Sequence, residues 1–364
     1  MSAALTDRTR AVWLFCPVAA ATASLATVTL FTGLLGIAFL PRELERANPQ
    51  QYVSITHSIA PGDGRPAVSL YWTIDKTGLP GWRHRLALHT PQSNGRETPH
   101  AWTDLNPLAL AKDVEADHIL VGDWGGRIYA LDTRRPNTKP QYIGRHADGG
   151  VIALASSADG SYLLSQSAFH LYAWDRAAKR ECWRLPDVGA YCFAMRPDSD
   201  TAIIGTLHGD LLEVDLPSGR TLRTIASLEG FALSLTLSPD GNQLAVLRSS
   251  GDLLLLDSQT GELNWQESTH RNCQTCCGRF AAFSPCGQWV VTAGQESGWS
   301  LAVWSVATGQ KLLELRGHER AVQGAAFAAD GSLRSWSADG TIRLWDLATG
   351  VARDVIAIET PRPS

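Results

Sequence analysis

The stretch that decides the fold is GHERAVQGAAFAADGSLRSWSADGTIRLWDLATG, Gly317 to Gly350. It opens on a Gly-His pair, Gly317 and His318, and closes on Trp345-Asp346 and a short turn, Ala348-Thr349-Gly350. Two further turn signals lie inside it, Asp330-Gly331 and Asp339-Gly340. Asp bonds the local backbone and Gly reaches positive φ without steric cost, so both suit tight turns. Apolar runs flank each turn, and short apolar runs bounded by turn residues read as strands.

Outward from this stretch, the position of Trp345 recurs as Leu88, Leu131, Trp174, Val214, Leu256 and Trp304, at steps of 40 to 48 residues. Asp follows the marker at 132, 175, 215, 257 and 346; His89 and Ser305 are the departures. A second marker is a turn reading APGDG at 60–64, SADG at 157–160, RPDSD at 196–200, SPDG at 238–241, SPCG at 284–287 and AADG at 328–331. The second repeat has only Val114-Glu115-Ala116-Asp117 there. A third marker follows the Trp345 position: SNG at 93–95, PSG at 217–219, QTG at 259–261, ATG at 307–309 and ATG at 348–350. Between markers stand short apolar runs such as AIIGTL at 202–207, QLAVL at 243–247 and WVVTAG at 289–294. No segment from 52 to 358 reads as a long amphipathic helix. A period near 40 residues is that of four-stranded blades arranged in a ring, and the markers give seven repeats.

The opening stretch resembles one repeat of the WD-repeat β-propeller family. The resemblance implies an all-β, seven-bladed β-propeller of four-stranded antiparallel blades. It also implies a hydrogen-bonded set of His318, Ser335 on strand b, Asp339 in the b–c turn and Trp345 on strand c. Such a set is structural, since each unpaired buried polar group would cost about 1–3 kcal/mol. His, Ser and Asp in one repeat also invite a catalytic-triad reading, but the spacing fits the blade network and nothing else fits a nucleophile site. The seventh repeat alone carries the full set; the third keeps His146 and Trp174. Several repeats are also similar to the quinoprotein type, as in RIYALD at 127–132 and LLLLDSQTGELNW at 253–265. Both repeat types build the same blade.

The last repeat carries a candidate fourth strand of its own, VARDVIAI at 351–358, and the first begins with its own run at 52–59. The ring is therefore expected to close without a shared blade. In the alternative, residues 52–59 pair beside the strand of Trp345.

Residues 11 to 40 contain no charged residue. The run exceeds the ~20 apolar residues that span a bilayer and the ~7–15 of a signal-peptide core. The expectation is one transmembrane helix at 11–40 after a short tail at 1–10. A polar stalk at 41–51, the propeller at 52–358 and a tail at 359–364 would follow. Arg8 and Arg10 precede the span and Arg42 and Arg46 follow it, so the positive-inside rule is nearly balanced. The preferred orientation leaves the propeller on the extracytoplasmic side.

Seven cysteines are present, three of them in HRNCQTCCG at 270–278. Three readings stand for His270, Cys273, Cys276 and Cys277: a disulfide if the domain is exported, a zinc site, or unpaired thiols in a long loop. The expectation is no metal. Cys286 belongs to an a–b turn, on the face opposite that run. Cys182 and Cys192 belong to an outermost and an innermost strand, about three strand spacings of ~4.8 Å apart, too far for a bond that needs Cα atoms within ~7 Å.

Net charge is −4 with a pI near 6.2, which leaves no nucleic-acid footprint. The leading expectation is a membrane-tethered, non-catalytic scaffold that binds other proteins and holds no cofactor. A quinoprotein-like oxidoreductase and a ligand-sensing or envelope-assembly propeller are the alternatives. The b–c and d–a loops share one face, and Trp124, Arg145, His208, Phe231, Trp299 and Arg320 lie in those loops. Aromatic and Arg side chains are enriched among binding hot spots.

Overall fold

In the computed structural model the described residues are 53–59, 67–74, 82–89 and 105–357, apart from 116, 169, 187–189, 270–279 and 295–298. They form seven antiparallel sheets, one per repeat, each in sequential strand order. The expected transmembrane span, stalk and C-terminal tail, and the His270–Cys277 cluster, lie outside the described residues. Among the described residues no helix is long and apolar enough to cross a membrane.

The first sheet holds β1 (Val53–Ile59), β2 (Ala67–Ile74) and β3 (Trp82–His89). Blade 2 holds β4 (Pro107–Lys112), β5 (His118–Asp123), β6 (Arg127–Asp132) and β7 (Gln141–Arg145). Blade 3 holds β8 (Ala153–Ser156), β9 (Tyr162–Gln166), β10 (His170–Asp175) and β11 (Arg180–Pro186). Blade 4 holds β12 (Ala190–Met195), β13 (Thr201–Thr206), β14 (Asp210–Asp215) and β15 (Thr221–Ser227). Blade 5 holds β16 (Ala232–Leu237), β17 (Gln243–Arg248), β18 (Asp252–Asp257) and β19 (Leu263–Ser268). Blade 6 holds β20 (Ala281–Phe283), β21 (Trp289–Ala293), β22 (Leu301–Ser305) and β23 (Lys311–Leu315). Blade 7 holds β24 (Val322–Phe327), β25 (Leu333–Ser337), β26 (Thr341–Asp346) and β27 (Val351–Ala357).

Among the described residues there are thus six four-stranded blades, where seven were expected. The first repeat gives a three-stranded sheet among the described residues. Its marker is Leu88-His89 instead of Trp-Asp, and the polar run TPQSNGRETPH that follows at 90–100 offers no apolar strand pattern.

Side chains alternate across each strand, and the middle strands bury both faces. Ile119 and Val121 pack toward the first sheet with Val68, Leu70 and Leu86, while Leu120 faces blade 3 with Leu154, Leu163 and Trp174. Leu163 and Leu164 divide in the same way between blades 2 and 4. Blades 4 to 7 repeat this through Ile203 with Leu244, Ala245 with Trp304, and Val291 with Leu333. Two-sided burial is why the b and c strands read as continuous apolar runs instead of strict alternation.

Junctions between blades also carry polar and aromatic clamps. Trp183 of β11 donates its indole N–H to the Leu216 carbonyl of blade 4, and Trp265 of β19 does the same to Val306 of blade 6 at 2.7 Å. Each ring lies on the turn glycine three residues further on, Gly219 or Gly309, where a Cβ would sit 2.7 or 2.9 Å from the ring. These glycines have φ near +72° and +71°, so both backbone conformation and space call for Gly.

The chain closes on itself as expected without a shared blade. β27 pairs with β26, Thr341 opposite Ala357 and Asp346 opposite Val351, while β1 pairs with β2. β1 lies beside β24 and β25 on one side and β4 on the other.

Candidate partner-binding face and its polar sets

Strand order puts the b–c and d–a connections at one end of the blades. All six candidate loop residues fall there. Trp124 directly follows β5, Arg145 ends β7, and His208 lies between β13 and β14. Phe231 precedes β16, Trp299 precedes β22, and Arg320 precedes β24. Trp124 is 50% exposed and Trp299 43%. Arg145 and His208 are exposed, whereas Phe231 and Arg320 are half-buried. Arg145 donates from Nε to the Gly125 carbonyl at 3.1 Å, and the Phe231 N–H donates to Ser249 Oγ at 3.3 Å. Ser337 Oγ donates to the Arg320 carbonyl at 3.0 Å.

Behind this face, blade 7 joins all four residues implied by its repeat. Trp345 Nε1 donates to Ser335 Oγ at 2.8 Å, and Ser335 Oγ meets His318 Nε2 at 2.7 Å. His318 Nδ1 meets Asp339 Oδ2 at 2.8 Å. Asp339 also accepts from Thr341 Oγ1 at 2.6 Å and from the Glu319 N–H at 3.0 Å. The N–H on Nδ1 faces the carboxylate, which leaves Nε2 to accept from Ser335. Burial pushes the Asp339 carboxyl up, but the bonds from His318 and Thr341 outweigh it and hold the group at about 2. Ser335 is fully buried, and its Oγ is engaged on both sides, an arrangement that gives no substrate access to the hydroxyl.

Blade 3 rearranges the same parts. His146 Nε2 meets Ser165 Oγ at 2.7 Å, and Trp174 Nε1 donates to Ser165 at 2.7 Å. Its acid does not come from the b–c turn. Asp148, two residues after His146 in the d–a loop, accepts from Ser167 Oγ at 2.8 Å, from Tyr172 OH at 2.5 Å and from His170 Nδ1. His146 lies flat on Tyr172, ring centroids 4.1 Å apart, and Tyr172 on Trp174 at 5.9 Å. Ser165, Asp148 and His170 were not legible as a set. The b–c turn here is one residue shorter than in blade 7, so counting back from Trp174 misses the serine. The acid has moved to a different loop. Blade 6 keeps a fragment, Trp304 Nε1 donating to Thr292 Oγ1 at 3.0 Å.

On the opposite face a shallow groove of about 680 Å³ runs between blades 5 and 6, lined by Pro239, Asp240, Trp265, Pro285, Cys286 and Val306. Cys286 is exposed in its a–b turn, and Cys182, Cys192 and Cys286 are all free thiols. Cys182 lies on the outermost strand and Cys192 on the innermost strand of the next blade. Among the described residues no three His, Cys, Asp or Glu side chains converge to hold a metal.

Comparison with known proteins agrees with both repeat types. WD repeat-containing protein 3 of Mus musculus is 33% identical over 117 residues, covering 31% of this chain and 12% of its own length. The Homo sapiens protein of the same name is 32% identical over 117 residues with the same coverage. An uncharacterized WD repeat-containing protein of Synechocystis is 30% identical over 112 residues, 30% of each chain. This chain thus spans about an eighth of the two mammalian relatives. Residues 73–353, from the first sheet into the last strand of blade 7, match the family model described as outer membrane protein assembly factor BamB. A match over that span, more than half of the chain, makes this chain a member of the family described as outer membrane protein assembly factor BamB.

Proposed function

We propose that this chain is a non-catalytic scaffold that docks other proteins on its b–c and d–a face. A half-exposed tryptophan in each of two b–c connections, Trp124 at 50% and Trp299 at 43%, carries the reading. Large aromatic side chains left in water on a rigid ring suit partner anchoring. The serines and histidines that could suggest chemistry are buried within blades 3 and 7 and engaged there. The proposal includes an anchor at 11–40, a stalk at 41–51 and a propeller at 52–358 on the extracytoplasmic side, with no metal, cofactor or nucleic acid.

Affinity capture of the full chain from solubilised membranes tests it. Trp124→Ala with Trp299→Ala should lose captured proteins while the melting temperature holds. Unchanged capture by the double variant would sink the face assignment, and visible absorbance in purified protein would favour an oxidoreductase.

The family description favours one class of partner, components that assemble outer membrane proteins. Captured proteins unrelated to membrane-protein assembly would count against that refinement while leaving the scaffold reading intact.

A further inference from the structure

Blades 3 and 7 present the same histidine in two different states. His318 and His146 each hold a buried Ser through Nε2. Nδ1 of His318 is bonded to Asp339, but Nδ1 of His146 is buried without a hydrogen-bond partner among the described residues. His146 is 3% exposed. The acid that could complete it, Asp148, lies two residues away in the same loop and is bonded instead to His170, Tyr172 and Ser167.

The loop is built to allow an exchange. The d–a connection between β7 and β8 runs from 146 to 152, one residue longer than the 316–321 connection that leads into blade 7. The loop contains Gly149, which has φ +138° and open space where a Cβ would stand. That glycine gives Asp148, the residue before it, backbone freedom.

We propose that blade 3 is a proton-driven switch: when His146 takes a proton, Asp148 leaves His170 and Tyr172, accepts the new N–H of His146, and carries loop 146–150 to a second position on the loop face. The charges around the ring favour this direction. In the neutral His146 ring Nε2–H is donated to Ser165 Oγ and Nδ1 is the bare nitrogen that takes the added proton; the N–H formed there has no acceptor in the neutral arrangement. Asp148 attracts the charge, while His170 on β10 opposes it. Arg184 on β11 lies by Tyr172, and the blade 2 turn contributes Asp123, already paired with Arg127. Asp148 is thus the acidic group available to answer the proton. Burial holds the His146 ring down at about 4, so the acid state is populated only as the pH falls toward 4. The switch stands independently of the scaffold reading, because its parts lie within blade 3 and its leading loop.

The test uses the full chain in detergent, with ¹⁵N-labelled histidine rings and amide hydrogen exchange. Both are followed from about pH 7.5 to about pH 4, across the ordinary histidine range and below it. The His146 ring nitrogens should titrate, and intrinsic-rate-corrected protection of residues 146–150 should change by ~tenfold at the same midpoint. Blades 4 to 6 should not change. In His146→Gln the loop should stay protected at every pH, and in Asp148→Asn it should be unprotected at every pH. Loop protection that ignores the His146 titration overturns the proposal, as does a change shared by all blades. Should His146→Gln fail to fold, a wild-type pH response in Asp148→Asn overturns it equally.

Discussion

Arg176 of blade 3 grips Asp113 of blade 2 with both guanidinium nitrogens, Nη1 to Oδ1 at 2.6 Å and Nη2 to Oδ2 at 2.8 Å. The Asp113 side chain is 1% exposed, so its charge has almost no water to fall back on. A bidentate fork is geometry that lysine cannot copy. Removing one partner of a buried pair typically costs about 3–5 kcal/mol, because the other charge stays buried. Arg176→Ala should lower the denaturation midpoint accordingly, Arg176→Lys should recover only part, and Arg176→Ala with Asp113→Ala should be milder than Arg176→Ala alone. A double variant as unstable as the single one would show that the pair is not coupled.

Blade 7 predicts loss of stability without loss of chemistry. Trp345 is 3% exposed. Trp345→Ala should cost ~3–5 kcal/mol through the cavity it leaves, and Trp345→Phe ~1–3 kcal/mol, chiefly through the lost indole bond to the buried Ser335. Asp339→Ala orphans His318 and Thr341 together and should fall between them. Chemical denaturation of the three variants checks the order.

Acid should weaken the ring in two separable steps. The folded His146 ring sits at about 4, below its ordinary 6.5. A depressed folded value means stability that is present above 6.5 and lost as pH falls through the folded value. Asp339 sits at about 2 against an ordinary 3.8, so its contribution is full above 3.8 and is lost as pH falls toward 2. His146→Gln should flatten the melting temperature across the first window and Asp339→Asn across the second. Identical pH profiles in wild type and both variants would refute the assignment.

The c–d turns offer a gain as well as losses. Gly219, Gly261, Gly309 and Gly350 all adopt positive φ, and Lys179 occupies the matching place in blade 3 with φ 52°. A non-glycine residue there costs ~1–2 kcal/mol. Lys179→Gly should therefore raise the melting temperature. Gly219→Ala should lower it, since its Cβ would meet the Trp183 ring at 2.7 Å.

Turn chemistry made most of this fold legible. Asp-Gly and Thr-Gly pairs recur because tight antiparallel turns demand them, and Trp345, Trp304 and Trp174 mark the strands between. Fold logic that depends on contacts between repeats left no such trace. The Trp183 and Trp265 clamps join residues 33 and 41 positions apart that no spacing rule connects. The acid of blade 3 moved from the b–c turn to the d–a loop, so Asp148 could be recognised only once His170 and Tyr172 stood around it. The first repeat was the least legible: its marker is Leu88-His89 with no Trp-Asp pair, and the polar residues after His89 carry no strand pattern.

Ring closure gives the last prediction. Successive blades are joined by a covalent d–a loop, but the first sheet and blade 7 are neighbours only through packing of β1 beside β24 and β25. Among the described residues no ladder bridges them, since β27 completes its own sheet and β1 pairs with β2. β27 is also among the most exposed strands, with Val351 63% exposed, so little apolar burial backs its outer edge. Local openings have free energies well below the global value where burial is sparse. Amides of β1 and of β24 to β27 should therefore exchange faster than those of β13 and β17, whose sheets are packed on both sides. Joining the two ends covalently, with engineered cysteines on β1 and β24, should slow exchange in β24 to β27 when oxidised and restore it when reduced. Equal protection of all seven sheets before cross-linking would mean that the seam is as strong as the other junctions.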